Sequence, residues 1–262
     1  TGIVIGMVEI KTLGELEAMR EAGRIVARTL QAVAAHARPG TTVAELDDLA
    51  ATTIHEAGAV SAFTGYRPGF APTPYPAVIC LSVNDAIVHG IPGRTVLADG
   101  DLLSIDCGVY IDGWAGDGAT SITVGASHPS DRALIDATRQ ALHAGIAAAV
   151  PGNRLGDIGH AVQAVAARHG LADAVASDFG GHGIGRRMHE DPHVPNRGRP
   201  GRGMVLRPGM TLAIEPMLTT GLGRYRTASD GWTLRTVDGA RAAHAEHTVA
   251  ITDDGPLVLT QP

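Results

Sequence analysis

Apolar and polar positions along the chain fall into two helix-pair segments, each followed by a group of strand-like runs. Residues 30–58, LQAVAAHARPGTTVAELDDLAATTIHEAG, read as a helix, a Pro-Gly break and a second helix closed by Gly58. Residues 142–170, LHAGIAAAVPGNRLGDIGHAVQAVAARHG, repeat that plan at a constant offset, with Pro151-Gly152 over Pro39-Gly40 and Gly170 over Gly58. Capping signals agree: Thr12 with Glu15 and Thr42 with Glu45 form capping boxes, and Asn153 is expected as an N-cap. Strand-like runs follow at 77–83, 102–111 and 114–124, and again at 210–217, 233–236 and 245–251. Two similar α+β halves predict a pseudo-two-fold fold, with the sheets together and the helices behind them.

One predicted hairpin carries an anomaly. In SIDCGVYIDGWAGDGATS (104–121), Asp112-Gly113 is a two-residue turn signal, but Asp106 and Asp117 fall in mid-strand. With that turn, Ile111 faces Trp114, Gly108 faces Asp117 and Asp106 faces Ala119. Residues two apart share a face, so Asp106, Gly108 and Asp117 point the same way. The two aspartates are then diagonal neighbours about 7–8 Å apart at the backbone. An unpaired buried charge is costly, so two carboxylates converging over a glycine call for a cation. The alternative is that one faces solvent or pairs with an arginine.

Composition narrows the setting. A chain of 262 residues forms one large domain or two closely packed halves. Aromatic residues make up 3%, so the core must come from Ala, Val, Leu and Ile. A formal charge of −6 argues against nucleic acid as the main partner, and no DNA partner is expected. Two cysteines, Cys80 and Cys107, both in apolar runs, exclude a disulfide framework and suit a reduced, cytoplasmic setting. The first residues, TGIVIGMVEIK, are apolar but lack a basic leader and a cleavage site, and Met7 reads as a natural start. No run reaches membrane-spanning length, so no membrane partner is expected.

The second half supplies further ligand-type residues. GMTLAIEPM places Glu215 at the end of an apolar strand, and HAEHTVAIT places Glu246 at the start of another. Between the motifs of the two halves lies FGGHGIGRRMHEDPHV, whose glycines on both sides of His182 are expected to allow turns that aim the imidazole. A lone loop histidine is usually only polar surface. Four carboxylates with one imidazole instead suit a pair of divalent first-row metals, since carboxylates can bridge.

The segments SVNDAIVHGIP, SIDCGVYIDGWAGD, GGHGIGRRMHEDP, MTLAIEPM and AEHTVAIT together resemble the ordered motifs of the type I methionine aminopeptidases, members of the pita-bread metallopeptidases. The resemblance runs from about residue 12 to the C-terminus. It implies an α+β pita-bread fold, a central curved antiparallel sheet with helices behind, built as a single catalytic domain over 12–262. Its halves would be about 12–128 and 129–262, preceded by an extension over 1–11. It implies that Asp106, Asp117, His182, Glu215 and Glu246 hold two divalent ions (Co, Mn, Fe or Zn), with Asp117 and Glu246 bridging. A water or hydroxide between the ions would attack, Glu215 would pass on a proton, His89 would contact the scissile amide nitrogen, and His189 would stabilise the oxyanion.

By the same resemblance the methionine pocket comprises Phe63, Tyr66, Tyr75, Cys80, Met188 and Trp232, with His89 and His189 at its edge. The implied activity is removal of N-terminal methionine from peptides and nascent proteins with a small second residue, by a cytoplasmic monomer. Departures fall around the pocket. Phe63 is larger than usual for the family, Met188 replaces a common phenylalanine, RPGFAPTP is longer than usual, and Ala115 and Gly118 beside Asp117 are atypical. These bear on substrate preference. Proline-specific aminopeptidases share the ligand set and are the alternative reading, with a non-catalytic binding protein of this fold a distant third. The arginines at 186, 187, 197, 199, 202 and 207 read as a solvated rim or as a contact with ribosomal RNA.

Overall fold

The computed structural model describes residues 8–171 and 179–262; Met7 and the six residues before it lie outside the described residues. The first half runs α1 (Leu13–His36), α2 (Val43–Glu56), β1 (Val60–Ser61), β2 (Cys80–Val83), β3 (Ala86–Val88), β4 (Leu102–Ile111) and β5 (Trp114–Thr123). The second half opens with α3 (Pro129–Ala148), α4 (Leu155–Arg168), β6 (Gly180–Gly183), β7 (Glu190–Pro195) and β8 (Thr211–Ile214). It closes with β9 (Met217–Thr219), β10 (Tyr225–Thr227), β11 (Leu234–Thr236), β12 (Ala242–His244), β13 (Glu246–Thr252) and β14 (Gly255–Val258).

The helices begin where the capping chemistry places them. Thr12 and Thr42 each accept an N–H from the glutamate three residues on, whose carboxylate accepts the threonine N–H at 2.8 and 2.7 Å. The α4 cap differs from the expectation by one residue. Arg154 is the N-cap, because Asp157 accepts its N–H at 2.7 Å from within the first turn. Asn153 instead donates to Ala148 O at 2.9 Å and ties off α3. α1 buries Leu16, Met19, Ala22, Ile25, Val26 and Val33, a stripe at helical spacing. Its close approach to the sheet depends on glycine: a Cβ on Gly23 would lie 2.1 Å from Leu259 O.

Nine antiparallel strands form the central sheet in the order β1-β4-β5-β13-β8-β6-β7, with β2 also on β4 and β14 on β13. The β4–β5 register is the expected one: Ile111 opposite Trp114, Gly108 opposite Asp117 and Asp106 opposite Ala119. Asp112 and Gly113 make the turn with φ of 50° and 77°, the left-handed pair that a two-residue hairpin needs. The predicted run 210–217 is not one strand. β8 stops at Ile214, since Pro216 has no N–H to offer the ladder, and β9 leaves to pair with β12.

Two short ladders join the halves. β5 meets β13 at two residue pairs, Ala119 with Glu246 and Gly118 with His247, and β3 meets β11. Where β5 and β13 part, Thr248 takes over: its hydroxyl accepts the Asp117 N–H at 3.0 Å and donates to Asp117 O at 2.8 Å. Residues just before α1 also dock, with buried Lys11 Nζ 3.3 Å from the Glu190 carboxylate.

Candidate metal centre

Five side chains from four strands and one strand end converge beside the β5–β13 seam. Asp106 of β4 and Asp117 of β5 project from one face of the hairpin, over Gly108. Glu246 begins β13, Glu215 follows β8, and His182 sits within β6. His182 Nδ1 donates to the Gly183 carbonyl at 2.9 Å, a bond that favours the tautomer whose Nε2 carries a lone pair. That Nε2 lies 3.7 Å from Asp117 Oδ2 and 3.6 Å from Glu215 Oε1. Asp106 Oδ1, Asp117 Oδ1 and Glu246 Oε1 are buried with no hydrogen-bond partner among the described residues. Unsatisfied buried carboxylate oxygens are rare. Their convergence, with an imidazole turned toward them, fits a divalent cation.

The electrostatics agree. Burial pushes the Asp106 carboxyl up to about 7. Burial, with repulsion from neighbouring carboxylates, holds Asp117, Glu215 and Glu246 well above the usual carboxylate range. Burial, then the neighbouring His189, takes His182 down to about 3 and His89 to about 4. A cation would reverse the preference of the acids, rewarding ionised carboxylates, and keep that of the imidazoles, which bind as neutral donors.

Above this cluster lies a cavity of about 250 Å³ with aromatic walls. Phe63, Tyr66, Tyr75, Cys80, His89, His189 and Trp232 line it together with all five candidate ligands. Met188 alone of the expected pocket residues does not; it packs beside Phe63 over the space that a Cβ on Gly108 would occupy. Tyr75 donates to Gly90 O at 2.9 Å and Trp232 Nε1 to Thr73 O at 3.1 Å, so both rings are pinned. His189 is stacked on Tyr66 at 5.2 Å and lies 4.2 Å from the His182 ring. His89 has φ of 60° and a buried Nδ1 without a partner among the described residues, a strained residue held at the cavity edge.

Some features were not foreseen. The glycines around His182 do not make turns: none has positive φ, and all lie in or next to strand β6. They are required by close packing, since a Cβ on Gly181 would lie 1.9 Å from Ala213 O and one on Gly183 2.1 Å from Asp191 O. Pro68 and Phe70 of the long segment join the cavity wall, and Phe70 stacks on His89 at 6.4 Å. His244, Thr248 and Ser121 also support the cluster. His244 ends β12, one residue before β13 begins at Glu246, so no same-face rule within a single strand reaches it. Of the arginine stretch, Arg186 lies over the Trp114 ring at 3.6 Å.

The chain belongs to metallopeptidase family M24, whose sequence pattern it matches over residues 17–253. Within that family it is similar to methionine aminopeptidases. It is 52% identical to methionine aminopeptidase 1 of Mycobacterium tuberculosis, over 95% of this chain and 94% of that protein. It is 44% identical to methionine aminopeptidase 1 of Bacillus subtilis, over 97% of this chain and 100% of that one. The crystal structure of methionine aminopeptidase from Thermotoga maritima matches with a TM-score of 0.93 at 42% identity, covering 98% of this chain and 100% of that chain.

Proposed function

We propose that this protein removes N-terminal methionine from peptides and nascent proteins whose second residue is small. The observation that carries the reading is the set of carboxylate oxygens, without partners among the described residues, at the floor of an aromatic-walled cavity. Asp106, Asp117, His182, Glu215 and Glu246 would hold two divalent ions. Such ions supply a water activated near neutral pH and a Lewis acid for the scissile carbonyl.

The remaining roles fall to the chain itself. Phe63, Tyr75, Cys80 and Trp232 offer an apolar sleeve for a thioether side chain, closed by rings that are already held in place. His89, at the edge of that sleeve, is placed to meet the scissile amide nitrogen. His189, held between Tyr66 and His182, is placed to donate to the oxygen that gains charge as the carbonyl becomes tetrahedral. Glu215, whose proton affinity is raised by burial, suits the passing of a proton to the leaving amine. Residues 12–262 act as one catalytic unit in this reading, and residues 1–11 as its extension.

The test is a peptide panel, Met-Ala-Ser, Met-Leu-Ser and Ala-Pro, assayed in excess chelator and after addition of cobalt(II), manganese(II) or iron(II). Metal-dependent cleavage of Met-Ala-Ser, slower on Met-Leu-Ser, is expected. Full activity in chelator overturns the metal reading, and faster cleavage of Ala-Pro moves the assignment to proline-specific hydrolysis.

A further inference from the structure

The cluster holds one more imidazole than the five expected ligands. His244, the last residue of β12, is 2% exposed, and neither ring nitrogen has a hydrogen-bond partner among the described residues. Its Nε2 lies 3.7 Å from Glu215 Oε2 and 3.8 Å from Glu246 Oε2. We propose that His244 is itself a metal ligand, forming with Glu215 and Glu246 a cation site that carries a second imidazole. This rests on the metallopeptidase reading above and goes beyond its ligand set.

The distances carry the argument first. Separations of 3.7 and 3.8 Å are too long for hydrogen bonds. Two donors each about 2.1 Å from one cation, at an angle of about 120°, stand about 3.6 Å apart. His182 keeps the same spacing from Asp117 and Glu215. Glu215 therefore lies between two imidazoles, Oε1 toward His182 and Oε2 toward His244. Each imidazole also faces one of the two carboxylates that flank the seam, Asp117 for His182 and Glu246 for His244.

The second line is cost. A buried imidazole with both nitrogens unsatisfied destabilises the fold unless something binds it. The fold nonetheless fixes it there. Ser121 Oγ accepts the His244 N–H at 2.9 Å and donates to His244 O at 2.8 Å, while Ser104 Oγ stands 2.8 Å from Ser121 Oγ. Ser121 lies on β5, the strand that carries Asp117, so one strand positions a ligand directly and an imidazole through its backbone. The consequence for metal choice follows from donor type. Imidazole suits iron, cobalt and zinc, whereas an all-oxygen position suits manganese.

The experiment uses the full chain loaded anaerobically with two equivalents of cobalt(II) and the proton NMR spectrum of exchangeable imidazole N–H groups. Each histidine bound to cobalt contributes one strongly shifted N–H resonance. Two are expected in the unsubstituted protein, one of which is lost in His244→Gln and the other in His182→Gln. His244→Gln should also lower the preference for cobalt(II) over manganese(II) about 10-fold or more, since altering the donors around a metal typically costs 10–100-fold in affinity. A single shifted resonance in the unsubstituted protein overturns the proposal even if the variants do not fold, and leaves the metal centre itself standing through the His182 signal. Failure to take up cobalt at all overturns both.

Discussion

At the scale of single residues, His189 offers the sharpest separation of binding from chemistry. Its ring is held between Tyr66 and His182. An oxyanion exists only as the carbonyl is attacked, so His189→Ala should lower kcat about 10²–10³-fold with KM little changed. Steady-state kinetics on Met-Ala-Ser check this, and a raised KM with kcat intact would make His189 a ground-state contact. Single residues are also where the sequence was most and least informative. Asp106, Gly108 and Asp117 were legible because a two-residue turn fixes register and register fixes facing. The glycines beside His182 were visible but misread, because nothing local distinguishes a glycine needed for a turn from one needed for the close passage of β7 and β8. Met188, expected in the pocket, packs over Gly108 beside Phe63, because position along the chain does not tell which of two neighbouring side chains faces the cavity.

At the scale of elements, the segment 67–74 changes the cleft most. Arg67 donates to Pro72 O at 2.9 Å, and Pro72 lies against Gly231, where a Cβ would come within 2.4 Å of its ring. The segment is thus fastened to the loop that carries Trp232, with Phe70 at 67% exposure reaching over His89. Phe70 also borders the neighbouring cleft lined by Phe179, Tyr225 and Leu234. In the proposed reading, a ring in that place would narrow the route of the residue after methionine. Phe70→Ala should therefore raise the rate on Met-Leu-Ser relative to Met-Ala-Ser several-fold, with the Met-Ala-Ser rate little changed; an unaltered ratio would assign the narrowing to His89 and its neighbours. The length of this segment was legible in the sequence, but not its aim, which depends on contacts more than 150 positions away. Helix pairs and most strands were legible for the opposite reason: caps, Pro-Gly breaks and alternation are local. The break at Pro216 marks the limit, where one predicted strand divides between two sheets.

At the scale of the molecule, metal binding and folding are linked. Without a cation the centre keeps Asp106 near 7 and its partner carboxylates raised, so a metal must displace protons to bind. The sign is unambiguous for these groups. Protonated Asp106 competes with the metal below about pH 7, the raised partner carboxylates act in the same direction, and His182 and His244, held low, stay neutral. Addition of manganese(II) should raise the thermal midpoint more at about pH 8 than at about pH 6. The gain should approach about 2.7 kcal/mol per site at 100 times Kd. Scanning calorimetry with and without chelator measures it, and a shift independent of pH would mean that the carboxylates are already ionised in the metal-free protein.

The seam between the halves has a mechanical meaning. β5 and β13 share only two residue pairs there, with Thr248 as a clasp. A joint so narrow is weak in tension, and Asp117 and Glu246 stand on its two sides. An ion gripped by both would serve as a rivet, so that the site of reaction is also the fastening of the frame. Handles attached through Glu56→Cys and Arg168→Cys, at the exposed ends of α2 and α4, would let the halves be drawn apart in an optical trap. The load at first opening should rise when manganese(II) is present. Equal loads would show that the frame is held by its helices, and that the metal is a passenger.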